Sequence, residues 1–95
     1  MFARVSTYHG SDVDAFTKGF ESVSRDVEGL AGFSGGYLLV DRASGEAMTI
    51  TLWKDETALA ASVEKANDIR RQAADTGGYS IDSVAHYEVA TALEV

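Results

Sequence analysis

Trp53 is the only tryptophan of this 95-residue chain, and it follows Thr51 and Thr49 at steps of two in the run AMTITLW, residues 47–53. In an extended strand that spacing puts all three side chains on one face. An indole wall with two hydroxyl handles suits a small aromatic molecule, since ligand sites combine apolar lining with a few placed polar groups. Thr7, Ser83 and Tyr87 are assigned to the same face, so the candidate substrate-binding set is Trp53, Thr7, Thr49, Thr51, Ser83 and Tyr87. A base is scarcer. His9, at the end of a predicted strand, is the candidate catalytic residue, because an imidazole near its ordinary pKa of roughly 6.5 takes a proton at neutral pH. The other histidine, His86, shares strand parity with Glu88, and Arg4 joins them if the first and last strands pair antiparallel. The expectation there is a structural ion pair or a dimer contact.

Other chemistries are excluded by what the chain lacks. It has no cysteine, which removes disulfides, iron–sulfur clusters and thiolate catalysis. The two histidines fall on different parities and no H-x-x-E-H spacing occurs, so no metal site is predicted. The glycine pairs at 35–36 and 77–78 do not open onto a helix N-terminus, as a phosphate cradle requires. A formal net charge of -7 without a basic run repels phosphate backbones and anionic lipid, so neither nucleic acid nor membrane is an expected partner. No basic-then-apolar leader and no apolar run of spanning length is present, and the expected location is cytoplasmic.

The elements that must hold these residues are marked by punctuation. Residues 2–9 alternate as a strand, and Gly10 breaks it. Ser11, with Asp14 three residues on, is expected to open a helix as a capping-box-like pair. Val13, Phe16, Phe20, Val23 and Val27 give that helix one apolar stripe, and Gly29 closes it. A strand over 33–41 contains Gly35-Gly36, which suggests a bulge or a close backbone approach. The turn RASG leads into a strand over 46–53. A second helix is expected to run unbroken over 55–76, capped by Asp55, with Leu59, Val63, Ala66, Ile69 and Ala73 inward and Gly77-Gly78 at its end. Residues 79–90 form the last strand.

The order βαββαβ over a single domain, residues 1–95, predicts an α+β fold. It is a ferredoxin-like unit with a four-stranded antiparallel sheet in the order 4-1-3-2 and both helices on one face. The opposite face is expected to carry Phe2, Met48, Ile50, Leu52 and Val84. That apolar patch calls for a partner, and a symmetric homodimer packed sheet to sheet is predicted.

The stretch GFSGGYLLVDRASGEAMTITLWKDETAL, set between a strand–helix unit and a tyrosine-bearing last strand, resembles the dimeric α+β barrel superfamily, and within it the antibiotic-biosynthesis-monooxygenase-like branch. The resemblance covers essentially the whole chain. It implies a barrel formed by two sheets and activities such as oxygenation of phenolic polyketides without metal or flavin, quinol oxidation or haem degradation. Trp53 falls on the family's tryptophan at the end of the third strand. The asparagine and histidine of the haem-degrading branch are replaced by Ala3 and Val63, and no residue over 55–76 is a histidine, so the resemblance implies no haem and no other cofactor. The function it implies is a cofactor-independent, monooxygenase-like enzyme acting on an aromatic phenol or quinol. The alternatives are a non-catalytic dimeric module that binds a small molecule or serves in stress, and a purely structural dimer. The space behind Trp53 discriminates them: an open cavity with converging polar groups favours enzyme or binder.

Overall fold

The computed structural model describes residues 1–93. Along the chain run β1 (Phe2–His9), α1 (Val13–Glu28), β2 (Phe33–Val40), β3 (Glu46–Trp53), α2 (Glu56–Ala61), α3 (Val63–Gly77) and β4 (Ser80–Glu88). The strands form one antiparallel sheet in the order β2-β3-β1-β4. That is the predicted order read from the other edge. Tyr8 and Ala47 of the sheet share a buried cluster with Val13, Phe16 and Val23 of α1 and Ile69, Ala73 and Ala74 of α3, so both long helices cover the same face.

Close helix packing depends on two missing side chains. A Cβ on Gly19 would stand 2.9 Å from the Ala73 carbonyl oxygen, and one on Gly77 would stand 2.5 Å from the Phe16 Cα. α1 and α3 therefore meet almost backbone to backbone. Phe16, fully buried, then stacks on Tyr79 at 4.4 Å and tilts against Tyr8 at 4.9 Å.

Several local expectations are corrected. Asp12, not Ser11, caps α1: its Oδ1 accepts from the Ala15 amide at 3.0 Å, while Asp14 pairs with Arg42. The second helix is not continuous. It breaks at Ser62, where the Leu59 carbonyl accepts from both the Ser62 hydroxyl at 2.7 Å and Arg4 Nη2 at 3.2 Å. A carbonyl held from outside leaves the helical ladder, which breaks or bends a helix. Asp55 does cap α2, accepting from the Ala58 amide at 2.8 Å. Tyr79 lies before β4, buried against α1.

The bulge anticipated near Gly35-Gly36 is present. The β2–β3 register shifts between Phe33 and Gly35, and Gly35 has φ +135, a conformation side chains rarely adopt. A second register shift, unsignalled by any glycine, lies between Thr7 and Tyr8 on the β1–β4 pair. Direct partners in an antiparallel ladder share a face. Phe2 opposite Trp53, Arg4 opposite Thr51 and His86, and Ser6 opposite Thr49 and Val84 therefore all point to the helices. Phe2 and Val84 were expected on the other face, and the register overturns that. The face away from the helices carries Val5, Tyr37, Leu39, Met48, Ile50, Leu52 and Tyr87, with Tyr37 65% and Tyr87 57% exposed.

Candidate functional site

Between sheet and helices lies a cavity of about 40 Å³. β1 contributes Arg4, Ser6 and Tyr8, β3 contributes Thr49, Thr51 and Trp53, and α3 contributes Arg70. Alternation along two paired strands brings the sheet residues to one face. Ala66 and Ala73, small residues on the inner side of α3, leave the space open.

Trp53 is fully buried and forms an inner wall of the cavity. Its indole N–H donates to Thr51 Oγ1 at 3.0 Å, its ring meets Phe33 edge-on at 5.6 Å, and the Arg4 guanidinium lies 5.4 Å above it. The last distance is a cation–π contact. Thr49 shares a hydrogen bond of 3.0 Å with the Tyr8 hydroxyl.

Arg4 and Arg70 dominate the electrostatics. They are 4% and 8% exposed. Arg4 donates from Nε to His86 Nε2 at 3.2 Å and from Nη2 to the Leu59 carbonyl and Ser62 Oγ. Arg70 donates from Nε to Ser6 Oγ at 3.2 Å and from Nη1 to Asn67 Oδ1 at 2.8 Å. Every one of these acceptors is neutral. Burial, then the neighbouring charge of Arg70, lowers the Arg4 pKa to about 10. Burial lowers Arg70 as well, against the opposing influence of Tyr8. Burial and the two arginines push the His86 imidazole below its ordinary value. As acceptor for Arg4, His86 Nε2 has its lone pair engaged, so the imidazole orients the guanidinium. The polar cluster foreseen around Arg4 and His86 thus exists as a charge–neutral hydrogen bond, and Arg4 and Glu88 form no ion pair among the described residues.

The structure separates the six candidate binding residues. Trp53, Thr49 and Thr51 line the cavity together. Thr7, Ser83 and Tyr87 are on the opposite face: Thr7 pairs with Ser83 and Met48 in register and shares a hydroxyl–hydroxyl bond with Ser83, and Tyr87 stands opposite Ala3. Their assignment to the Trp53 face is corrected by this register. His9 is exposed and holds Asp82 through Nδ1 at 2.6 Å. It opposes Glu46 at the end of β1 remote from Trp53, about 23 Å away at the usual strand rise. Among the described residues no three His, Cys, Asp or Glu side chains converge as metal ligands. None of the helices there is long and apolar enough to cross a membrane.

Outside the cavity, α1 and the β2–β3 edge bound an open cleft of about 270 Å³ lined by Phe20, Ser24, Val27, Phe33, Gly35 and Gly36. Phe20, Val27 and Thr51 line both spaces, so the cavity and the cleft adjoin along these three residues. The glycine pair makes a flat floor: a Cβ on Gly36 would press within 2.7 Å of the Ile50 carbonyl oxygen.

No protein-family model and no curated protein matches the sequence. Solved structures do match. A protein from Deinococcus radiodurans, proposed to be an antibiotic biosynthesis monooxygenase, superimposes with a TM-score of 0.72 at 12% identity, over 100% of this chain and 98% of that one. SnoaB, a cofactor-independent oxygenase from Streptomyces nogalater, gives 0.71 at 15% identity over 97% and 95%. A single-substitution mutant of SnoaB gives 0.64 at 18% over 97% and 93%. The fold is that of the antibiotic biosynthesis monooxygenases. At these identities the likeness establishes the antibiotic-biosynthesis-monooxygenase-like fold alone.

Proposed function

We propose that the chain is a cofactor-independent, monooxygenase-like enzyme that binds an aromatic phenol or quinol with its oxygen in the cavity beside Trp53 and its ring in the adjoining cleft. The observation supporting this is the pair of buried guanidiniums, Arg4 and Arg70, aimed with Thr49, Thr51 and the Trp53 indole at one cavity. Fixed positive charge in a dry site favours the ionised form of a phenol or enol. Such an anion brings its own electrons. In the type case, an activated aryl CH2 and O2 give C=O and water: two C–H bonds and the O–O bond break, carbon is oxidised, and O2 is reduced. The protein's task is then to bind, orient and exclude solvent. His86 positions Arg4, and His9 lies too far along β1 to act as base.

A second reading keeps the fold and drops the turnover: a non-catalytic dimeric module that binds a small molecule. The cavity supports it by its size, since about 40 Å³ accepts a polar group and not a whole ring. In either reading we propose a homodimer formed through the sheet face that bears Tyr37, Leu39, Ile50 and Tyr87.

Oxygen uptake with a panel of anthrones and quinols separates the two. The enzyme reading expects consumption above that of Trp53→Phe and of protein-free buffer. Uptake equal to both controls across the panel would remove it.

A further inference from the structure

We propose that Arg4 and Arg70 form the receptor for a planar oxyanion, the carboxylate of an aromatic acid whose ring lies in the cleft floored by Gly35 and Gly36. This rests on the pocket described above, and it deepens the functional reading by naming the ligand's charged end. Buried charge is ordinarily paired, because a lone ion taken out of water loses its hydration without replacement. Here two cations share one cavity, and among the described residues no carboxylate lies within 4.0 Å of either. Arg4 Nη1 takes part in none of the hydrogen bonds that Arg4 makes there. The missing partner is an anion from outside.

Size and shape narrow its class. A cavity needs roughly 10–15 Å³ for each water-sized group, so about 40 Å³ holds a CO2⁻ and leaves no room for the ring attached to it. The adjoining cleft of about 270 Å³ has that room. Phe20 and Phe33 stand there to meet a ring by its face or edge. The guanidinium fork matches a planar carboxylate through two parallel N–H···O bonds. Across the whole chain the net charge of -7 disfavours a polyanion such as a nucleotide.

Calorimetric titration under argon with 4-hydroxybenzoate and with its neutral counterpart, 4-hydroxybenzamide, tests this. The carboxylate is expected to bind at least about tenfold more tightly. Arg70→Gln should erase most of that preference, Arg70→Lys should keep part of it by retaining charge without the fork, and Arg42→Gln, an exposed arginine paired with Asp14, should keep all of it. Carboxylate-dependent elevation of Tm, present in the wild type and lost in Arg70→Gln, provides a readout if one variant folds poorly. Equal binding of acid and amide, no binding of either, or a preference that survives Arg70→Gln would overturn the proposal. Oxygen is absent, so a failed turnover assay removes the oxygenase reading alone, while a failed titration removes the anion site alone.

Discussion

Single residues carry two consequences that can be measured without a substrate. The Tyr79 hydroxyl is buried with no hydrogen-bond partner among the described residues, and burial, then Asp12, raises its pKa. An unsatisfied buried hydroxyl costs about 1–3 kcal/mol. Tyr79→Phe keeps the stack on Phe16 and should therefore stabilise the protein, by roughly 1 kcal/mol in urea unfolding. His86 carries the second. Burial, then the charges of Arg4 and Arg70, holds its folded pKa below the unfolded value. Below about pH 6.5 the unfolded chain then binds more protons than the folded one, so stability present above that pH is lost on acidification. Urea midpoints at pH 7.5 and 5.5 should differ less in His86→Gln, which keeps an acceptor for Arg4 and cannot titrate.

Elements were legible in the sequence wherever one residue type forces one geometry. Gly45 at positive φ, the Asp55 cap and the apolar stripe of α1 all stand where residue type and spacing put them. Phase across β4 was not legible. The register shift between Thr7 and Tyr8 is a backbone event without a glycine to announce it, and the parity of a strand says which residues share a face but not which face the helices cover. That ambiguity placed Thr7, Ser83 and Tyr87 beside Trp53. Arg70 was missed, and Arg4 was placed only in a polar cluster with His86 and Glu88, for a different reason. Arg70 adjoins Arg71 and reads as a surface pair, although it follows Ala66 by four positions and precedes Ala73 by three, on the buried stripe of α3. Arg4 shares parity with Ser6 and Tyr8, and that parity was the available signal. Packing at the element scale turns on Gly77, where Gly77→Ala would drive a methyl into the Phe16 backbone. A loss of roughly 1–3 kcal/mol is expected by thermal or urea unfolding, with a smaller loss for Ala at Gly29, where a Cβ would meet nothing closer than 3.5 Å.

Over the whole molecule the two faces of one sheet divide the work. The helix face encloses the arginine cavity. The other presents Tyr37, Leu39 and Tyr87, each about half exposed or more, beside Val5, Met48, Ile50 and Leu52. Contiguous apolar surface of this kind marks an interaction site, and symmetric face-to-face packing of two copies across it is the proposed dimer. Sedimentation equilibrium should give twice the chain mass for the wild type and a single chain for Ile50→Asp, which leaves the helix face untouched. The most direct measurement concerns where a ligand sits. In a 1H–15N titration with 4-hydroxybenzoate, the Nε–H signals of Arg4 and Arg70 and the Trp53 indole N–H should shift together and saturate together, with the amides of Leu39 and Tyr87 unmoved. Shifts gathered on the Tyr37–Tyr87 face, or none at the two arginines, would contradict the assignment of the site to this cavity.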